Sequence, residues 1–405
     1  MKLRSSSAIA VATAAFLAQE TTAAITSFSL NKTYNPNDFL SDFEWYTKPD
    51  PTHGLINYLS QSAAMKANLT EVRDGSLFLR VDTTPTALEG RGSVRITSKD
   101  QWSDGVYVLN VSHVPYGCSV WPAFWTVTVD YDTGAWPAGG EIDIVENAND
   151  QFPGNLASLH TNPGCTIPSK ISSQLSSSTV QYTDCSGKTA ENTGCRVMMG
   201  SNPPTWGAPL NRNKGGMFAL VRDLSPGGSG ISVWYWEPDA VPSDLRASSK
   251  AVDVSGWGTP AVHFDVADTC ASYFGPHNIV INTALAGDWA AATWNESGNC
   301  AATYGAITDQ VAFNGSSYST AYWQIDSLRM FTSSLSPPAS SGTGSSSNSN
   351  TAGTSGNGNG NSNTNTNSNG NTGGNTGNSA AWYAARVGVA STAILVLTAS
   401  IVVLL

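Results

Sequence analysis

Charged side chains are scarce in this chain. Asp, Glu, Lys and Arg make up 12% of its 405 residues, about half the share of an ordinary globular domain. The Ser-, Asn- and Gly-rich tail accounts for part of the deficit. What charge there is leans acidic, with a formal net charge of −10 and no basic patch, which argues against a nucleic-acid partner. Cys-x-x-Cys pairs and the Cys/His spacings of zinc sites are missing, and so is EF-hand spacing. No long stretch carries helical periodicity. The surface these absences imply is polar but poor in charge, and it suits a neutral polar partner.

Long apolar runs are confined to the two ends. Met1-Lys2-Leu3-Arg4 is basic, an apolar stretch of small residues follows, and Thr21-Thr22-Ala23 offers a cleavage site. Residues 1–23 are therefore predicted to be a secretory signal peptide, too short to span a membrane. At the other end, small residues at Asn378-Ser379-Ala380 and a spacer precede an apolar tail from Val387 to Leu405. That pattern predicts a glycosylphosphatidylinositol signal, with residues 379–405 removed and the lipid on Asn378, Asn375 and Gly377 being the alternatives. A transmembrane helix is the competing reading, but no basic residues follow the tail. Residues 336–378 collapse to Ser, Gly, Asn and Thr and read as a flexible linker. The expected location is the cell surface, lipid-anchored to the plasma membrane, with the cell wall as a further destination.

The secretory reading predicts disulfides among the 6 cysteines, with the connectivity left open. Asn31, Asn68, Asn110, Asn295 and Asn314 each open an N-x-S/T sequon and are candidate glycosylation sites.

Residues 24–335 read as a single all-β domain. Strand-like runs at 76–81, 105–111, 217–221, 231–236, 279–283 and 322–331 are separated by Gly, Pro, Asn and Asp. The segment 225–230, Ser-Pro-Gly-Gly-Ser-Gly, reads as a hairpin loop. Many short strands with turn signals between them predict a sandwich or barrel.

The segment Gly139-Gly140-Glu141-Ile142-Asp143-Ile144-Val145-Glu146 sets three carboxylates in an apolar, β-branched run. Strand side chains alternate between faces, so Glu141 and Asp143 share a face while Glu146 has the wrong parity. An extra residue bulging out between Asp143 and Glu146 would put all three on one face. The alternative buries Glu146 in a core, where an unpaired charge is costly. Clustered carboxyls raise one another's pKa, so one can stay protonated beside an ionised neighbour. That asymmetry is what glycoside hydrolysis needs. Trp121-Pro-Ala-Phe-Trp125 lies just upstream, its tryptophans sharing strand parity, and Trp289 follows a later strand. Flat amphipathic rings suit the apolar faces of sugars. His160, one of 5 histidines, reads either as a half-buried structural residue or as a donor to substrate or to the carboxylates.

Glu141-Ile-Asp143-Ile-Val-Glu146 resembles the E-x-D-x-x-E signature of glycoside hydrolase family 16, in particular the fungal laminarinase-type endo-β-1,3(4)-glucanases. Asp50-Pro-Thr-His-Gly54, Trp121-Pro-Ala-Phe-Trp125, Ser158-Leu-His-Thr161, Val233-Trp-Tyr-Trp-Glu-Pro238, Ala286-Gly-Asp-Trp289 and Trp323-Gln-Ile-Asp-Ser-Leu-Arg329 are similar too. The resemblance spans about residues 26–333. It implies a β-jelly-roll sandwich of two antiparallel sheets with a concave substrate cleft, and retention of anomeric configuration. It implies Glu141 as nucleophile, Glu146 as acid/base and Asp143 as their tuner. Trp121, Trp125, His160, Trp289 and Arg95 would contact the sugar, although an arginine on a strand is as often a surface ion pair. Wall transglycosylases and lichenases of the family typically read E-x-D-x-E, so the intervening Ile144-Val145 pair favours the laminarinase branch. The expected function is endo-hydrolysis of β-1,3 and mixed-linkage β-1,3-1,4 glucan. The alternatives are a cell-wall glucan transglycosylase and a non-catalytic, lectin-like glucan-binding module. No cofactor or catalytic metal is expected, a structural calcium ion is left open, and the partners are β-glucan and, through the lipid alone, the membrane. A monomer is expected.

Overall fold

Branched and ring-bearing side chains fit a pleated surface, and the Gly, Pro, Asn and Asp between them turn the chain. The computed structural model describes residues 24–128, 134–170, 178–189 and 192–333. The predicted leader (1–23), linker (336–378) and anchor signal (379–405), with Asn378, lie outside the described residues. The strand-like runs fall in the strands Ser76–Arg80, Gly105–His113, Gly216–Asp223, Gly230–Trp236, His277–Leu285 and Tyr322–Thr332. Among the described residues the longest α-helix is Ile307–Phe313. The predicted hairpin loop connects Gly216–Asp223 to Gly230–Trp236, which pair in register from Asp223 and Gly230 outward.

Two antiparallel sheets form the sandwich. One orders Thr179–Tyr182, Cys195–Met198, Leu156–His160, Glu141–Glu146, Val120–Thr128, His277–Leu285, Arg95–Trp102 and Phe43–Trp45. The other orders Ala251–Asp253, Ser27–Tyr34, Tyr322–Thr332, Gly105–His113, Gly216–Asp223, Gly230–Trp236 and Val262–Phe264. Ser76–Arg80 branches from Tyr322–Thr332 and pairs in turn with Thr70–Arg73. The main core lies between the sheets, where Phe124, Ile142, Ile144, Val145 and Leu159 meet Leu109, Phe218, Leu220, Val233 and Met330.

The second sheet is covered on both faces. Leu109 and Val111 point into the main core while Val106 and Val108 join a separate cluster on the far side. Trp234 and Trp236 enter that cluster too, each edge-on to Trp257 at 5.6 and 5.3 Å. Edge-to-face aromatic pairs contribute about 1 kcal/mol beyond the area they bury. This double cover explains why these strands read as continuous apolar runs rather than as alternation. It also takes three tryptophans away from any sugar-binding role.

All six cysteines pair, as Cys118–Cys300, Cys165–Cys270 and Cys185–Cys195. Of the candidate glycosylation sites, Asn31, Asn68 and Asn295 are exposed, and Asn110 and Asn314 are half-buried.

The Cys118–Cys300 bridge spans 182 residues and the Cys185–Cys195 bridge only 10. Long closures restrict the unfolded chain more. Replacing Cys118 and Cys300 by serine is expected to lower stability by about 2–4 kcal/mol, more than the same change at Cys185 and Cys195. Denaturant midpoints of the two double variants measure the difference.

Candidate active site

The strand Glu141–Glu146 decides the site. Its neighbours on both sides count one residue fewer than it does. Against Leu156–His160, Asp143 faces Ser158 and Glu146 faces Leu156. Against Val120–Thr128, Asp143 faces Trp125 and Glu146 faces Ala123. The shift falls between Asp143 and Glu146, as the parity of the sequence required. Ile144 and Val145 are both fully buried in the core between the sheets. Glu141, Asp143 and Glu146 are left together on the opposite, concave face.

Asn155 holds the bulge open. Its side-chain oxygen accepts from the Glu146 backbone N–H at 3.0 Å, and its amide donates to the Ile144 carbonyl at 2.8 Å. An irregular strand leaves backbone groups without their ladder partners, and buried ones are costly. Asn155 supplies two of those partners. Just before the strand, Gly139 and Gly140 both take positive φ, +84° and +82°. A Cβ on Gly140 would strike the Phe274 ring at 2.4 Å, so the close approach demands glycine. The buried His277 fixes this turn, with Nε2 2.8 Å from the Gly139 carbonyl and Nδ1 2.8 Å from Thr126 Oγ1.

Each carboxylate has its own partner. Trp121 Nε1 donates to Glu146 at 2.8 Å, and Trp136 Nε1 donates to Glu141 at 2.9 Å. His160 Nε2 stands 3.2 Å from Asp143 Oδ2, and the Trp136 ring lies 5.7 Å from the His160 ring. All three acids and His160 are buried. Burial first, then the Asp143 charge, push Glu141 up to about 8 and Glu146 up to about 7. Burial pulls His160 down, but contact with Asp143 and the charges of Glu141 and Glu146 outweigh it and leave His160 raised. The two glutamates titrate as a coupled pair. Near neutral pH such a pair holds one carboxyl protonated beside one ionised, the asymmetry that acid–base chemistry requires.

Ala123, Trp125, Val127 and Val280 form an apolar floor on the same face, with Trp136 packed against it. Trp125 is pinned by its N–H to Asn282 at 2.8 Å. Arg95 lies over two rings, 4.6 Å from Tyr46 and 5.1 Å from Trp125. It is buried on the concave face rather than placed at the surface. Trp289, on the helix Gly287–Ala292, meets Trp121 edge-on at 5.6 Å and roofs the Glu146 end. His160 is buried rather than half-buried. One donor atom from each of Glu141, Asp143 and His160 lie within 4.8 Å of one another. One nitrogen and two carboxyls fall short of the oxygen shell calcium takes.

The structure thus gathers Glu141, Asp143, Glu146, His160, Trp121, Trp125, Trp289 and Arg95 on one face. Sequence reasoning missed Trp136, Asn155 and Arg196. Trp136 carried a signal, since it stands in a Gly- and Pro-rich loop just before the acids. Asn155 and Arg196 carried none, because their roles depend on which strands lie alongside.

A model of XgeA-like catalytic domains of glycoside hydrolase family 16 matches residues 43–331. The chain is 33% identical over 321 residues to an endo-1,3(4)-beta-glucanase of Arthroderma benhamiae, covering 78% of this chain and 67% of that one. It is 31% identical over 328 residues to a probable endo-1,3(4)-beta-glucanase of Aspergillus niger, covering 79% of this chain but only 42% of that one. It therefore spans about two thirds and under half of these two relatives. Among solved structures it is similar to Laminarinase 16A from Phanerochaete chrysosporium, seen with 6-O-glucosyl-laminaritriose in donor and acceptor sites. The identity there is 35% and the TM-score 0.68, over 75% of this chain and 99% of that one. It also resembles an elongating family 16 β-1,3-glucosyltransferase, with 31% identity and a TM-score of 0.64 over 75% of this chain and 100% of that one.

Glu146 has a folded pKa of about 7 against an ordinary 4.5. The folded state therefore binds the proton more tightly than the unfolded chain, and this group's contribution to stability is lost as pH rises from about 4.5 through about 7. Glu146→Gln is expected to raise the melting temperature by a few degrees at pH 8 and to leave it near wild type at pH 4. Thermal unfolding at both pH values checks the sign. Asn155→Ala is expected to cost about 2–3 kcal/mol, since it leaves two buried backbone groups unpaired, and chemical denaturation measures it.

Proposed function

The chain belongs to the XgeA-like catalytic domains of glycoside hydrolase family 16, and from that premise we propose that it is a retaining endo-hydrolase of β-1,3 and mixed-linkage β-1,3-1,4 glucan. The observation that carries this reading is the bulge that sets Glu141 and Glu146 on one face, on either side of Asp143, each held by a tryptophan N–H. The two titrations belong to the pair, and the reactive arrangement has its one proton on Glu146: ionised Glu141 attacks the anomeric carbon while Glu146 gives that proton to the departing glycosidic oxygen. The C–O bond to the leaving chain breaks as the ester bond to Glu141 forms. Glu146, now a base, takes a proton from water, and the hydroxide attacks the same carbon and frees Glu141. Asp143 lies between them, with His160 beside it. Burial and the neighbouring carboxylates make ionising both glutamates at once unfavourable, so one proton stays on the pair. Trp125, Val127 and Val280 form a buried floor, and the half-buried rings of Trp121, Trp136 and Trp289 are left to meet apolar sugar faces, Trp121 and Trp289 on the leaving-group side.

One observation favours a second reading. Trp121 and Trp289 form an aromatic wall beside Glu146, suited to hold a second sugar chain where water would enter, and a similar structure is an elongating glucosyltransferase. Transfer to glucan would then compete with hydrolysis. The three disulfides support passage through the secretory pathway. With the C-terminal signal, they fit a lipid-anchored monomer at the cell surface that meets wall or environmental β-glucan.

Products from laminarin, lichenan, cellulose and chitin, followed in time, separate these readings. Shortening of laminarin and lichenan supports hydrolysis, lengthened oligosaccharides indicate transfer, and binding without products indicates a lectin-like module. Glu141→Ala is expected to lose at least about a thousandfold in kcat/KM, and added azide is expected to restore turnover as an inverted glycosyl azide. Absence of that product would remove Glu141 from the nucleophile's role.

A further inference from the structure

Arg196 is buried on the strand Cys195–Met198, two strands from the acids. Its register partner is Ser158, which faces Asp143 on the next strand. Arg196, Ser158 and Asp143 thus form one row across the sheet. The arginine Nε is 3.3 Å from Ser158 Oγ, and the guanidinium carbon lies 4.4 Å from the centre of the Trp289 ring. Trp289 meets Trp121, whose N–H holds Glu146. A continuous path of contacts therefore runs from Arg196 through two rings to Glu146.

We infer that Arg196 is a positioning residue for the reaction, holding Trp289 over the leaving-group side and supplying a fixed positive charge on the Glu146 side of the cleft. The inference rests on the reading of Glu146 as acid/base. Around Glu146, its own strand presents Glu141 and Asp143, the strand Leu156–His160 presents His160, and Cys195–Met198 presents Arg196. Val120–Thr128 and the helix Gly287–Ala292 present Trp121 and Trp289, which carry no charge, and Asp288 on that helix is exposed and paired with His53. Burial and Asp143 push Glu146 up, and Arg196 is the first of the groups that pull it back. A residue that must give a proton and then take one needs a pKa near the working pH in both steps. A permanently charged guanidinium serves this purpose without itself titrating.

The two roles separate by substitution, because lysine keeps the charge but not the planar stack. In the full chain acting on laminarihexaose, Arg196→Gln is expected to move the alkaline limb of the kcat/KM profile up by about one pH unit. It is also expected to raise KM about fivefold, the size of one aromatic contact. Arg196→Lys should keep the wild-type limb and show only the KM increase, as should Trp289→Ala. Arg196→Met is a second neutral variant should the glutamine variant fold poorly. Carbon-13 titration of the Glu146 carboxyl separates the two layers of the claim. If that titration rises in the neutral variant while the rate profile stays, the charge effect stands and Glu146 is not the acid/base. If the Glu146 titration itself stays at the wild-type value, the inference is overturned.

Discussion

One extra residue in one strand governs this molecule. Ile144 and Val145 both enter the core where an unbroken pleat would admit only one of them. The hydrophobic gain from burying two branched side chains, about 2 kcal/mol each, favours the irregular strand. The same irregularity turns Glu146 onto the face of Glu141 and Asp143. Without it, either a carboxylate would lie in the core or a large apolar side chain would lie in the cleft. The bulge takes backbone groups off the regular ladder, and Asn155 answers with one donor and one acceptor.

Three buried carboxylates on one face repel one another, so the sandwich surrounds them with donors. Indole N–H groups reach Glu141 and Glu146 from two different elements, and the His160 imidazole stands at ion-pair distance from Asp143. These donors lower the penalty without neutralising the cluster, which leaves both glutamates raised toward neutral pH. Tryptophan suits this work because it offers a donor on one edge and an apolar face to the substrate. Arg196 adds the charge that the indoles lack, and its contact with Trp289 links the electrostatics of Glu146 to the shape of the cleft.

The tryptophans divide by position in the sandwich. Trp121, Trp125, Trp136 and Trp289 serve the concave face, whereas Trp234, Trp236 and Trp257 seal the outer face of the other sheet. A count of aromatics could not make that division. Trp121 and Trp125 were legible because they share strand parity just upstream of the acids. Trp234 and Trp236 share parity with each other too, but they point into the outer cluster with Trp257, on the other sheet from the three buried carboxylates. His160 and Arg95 were named from the sequence, yet their settings, one against Asp143 and one between two rings, came only from neighbouring strands.

By itself the sequence determined what depends on neighbours along the chain. The short strands, the 225–230 hairpin, the pairing of all cysteines in some arrangement and the parity conflict at Glu146 follow from local pattern and composition. The direction in which that conflict is resolved is also local, because two adjacent β-branched residues can hide in a core and a carboxylate cannot. Tertiary structure decided what depends on how strands and loops pack: which cysteines join, that Asn155 closes the bulge, that the loop carrying Trp136 folds back on Glu141, and that Arg196 stands behind Trp289. Those contacts arise from strand order. An antiparallel sandwich sets side by side strands that lie dozens of residues apart, and no local spacing records which strands become neighbours.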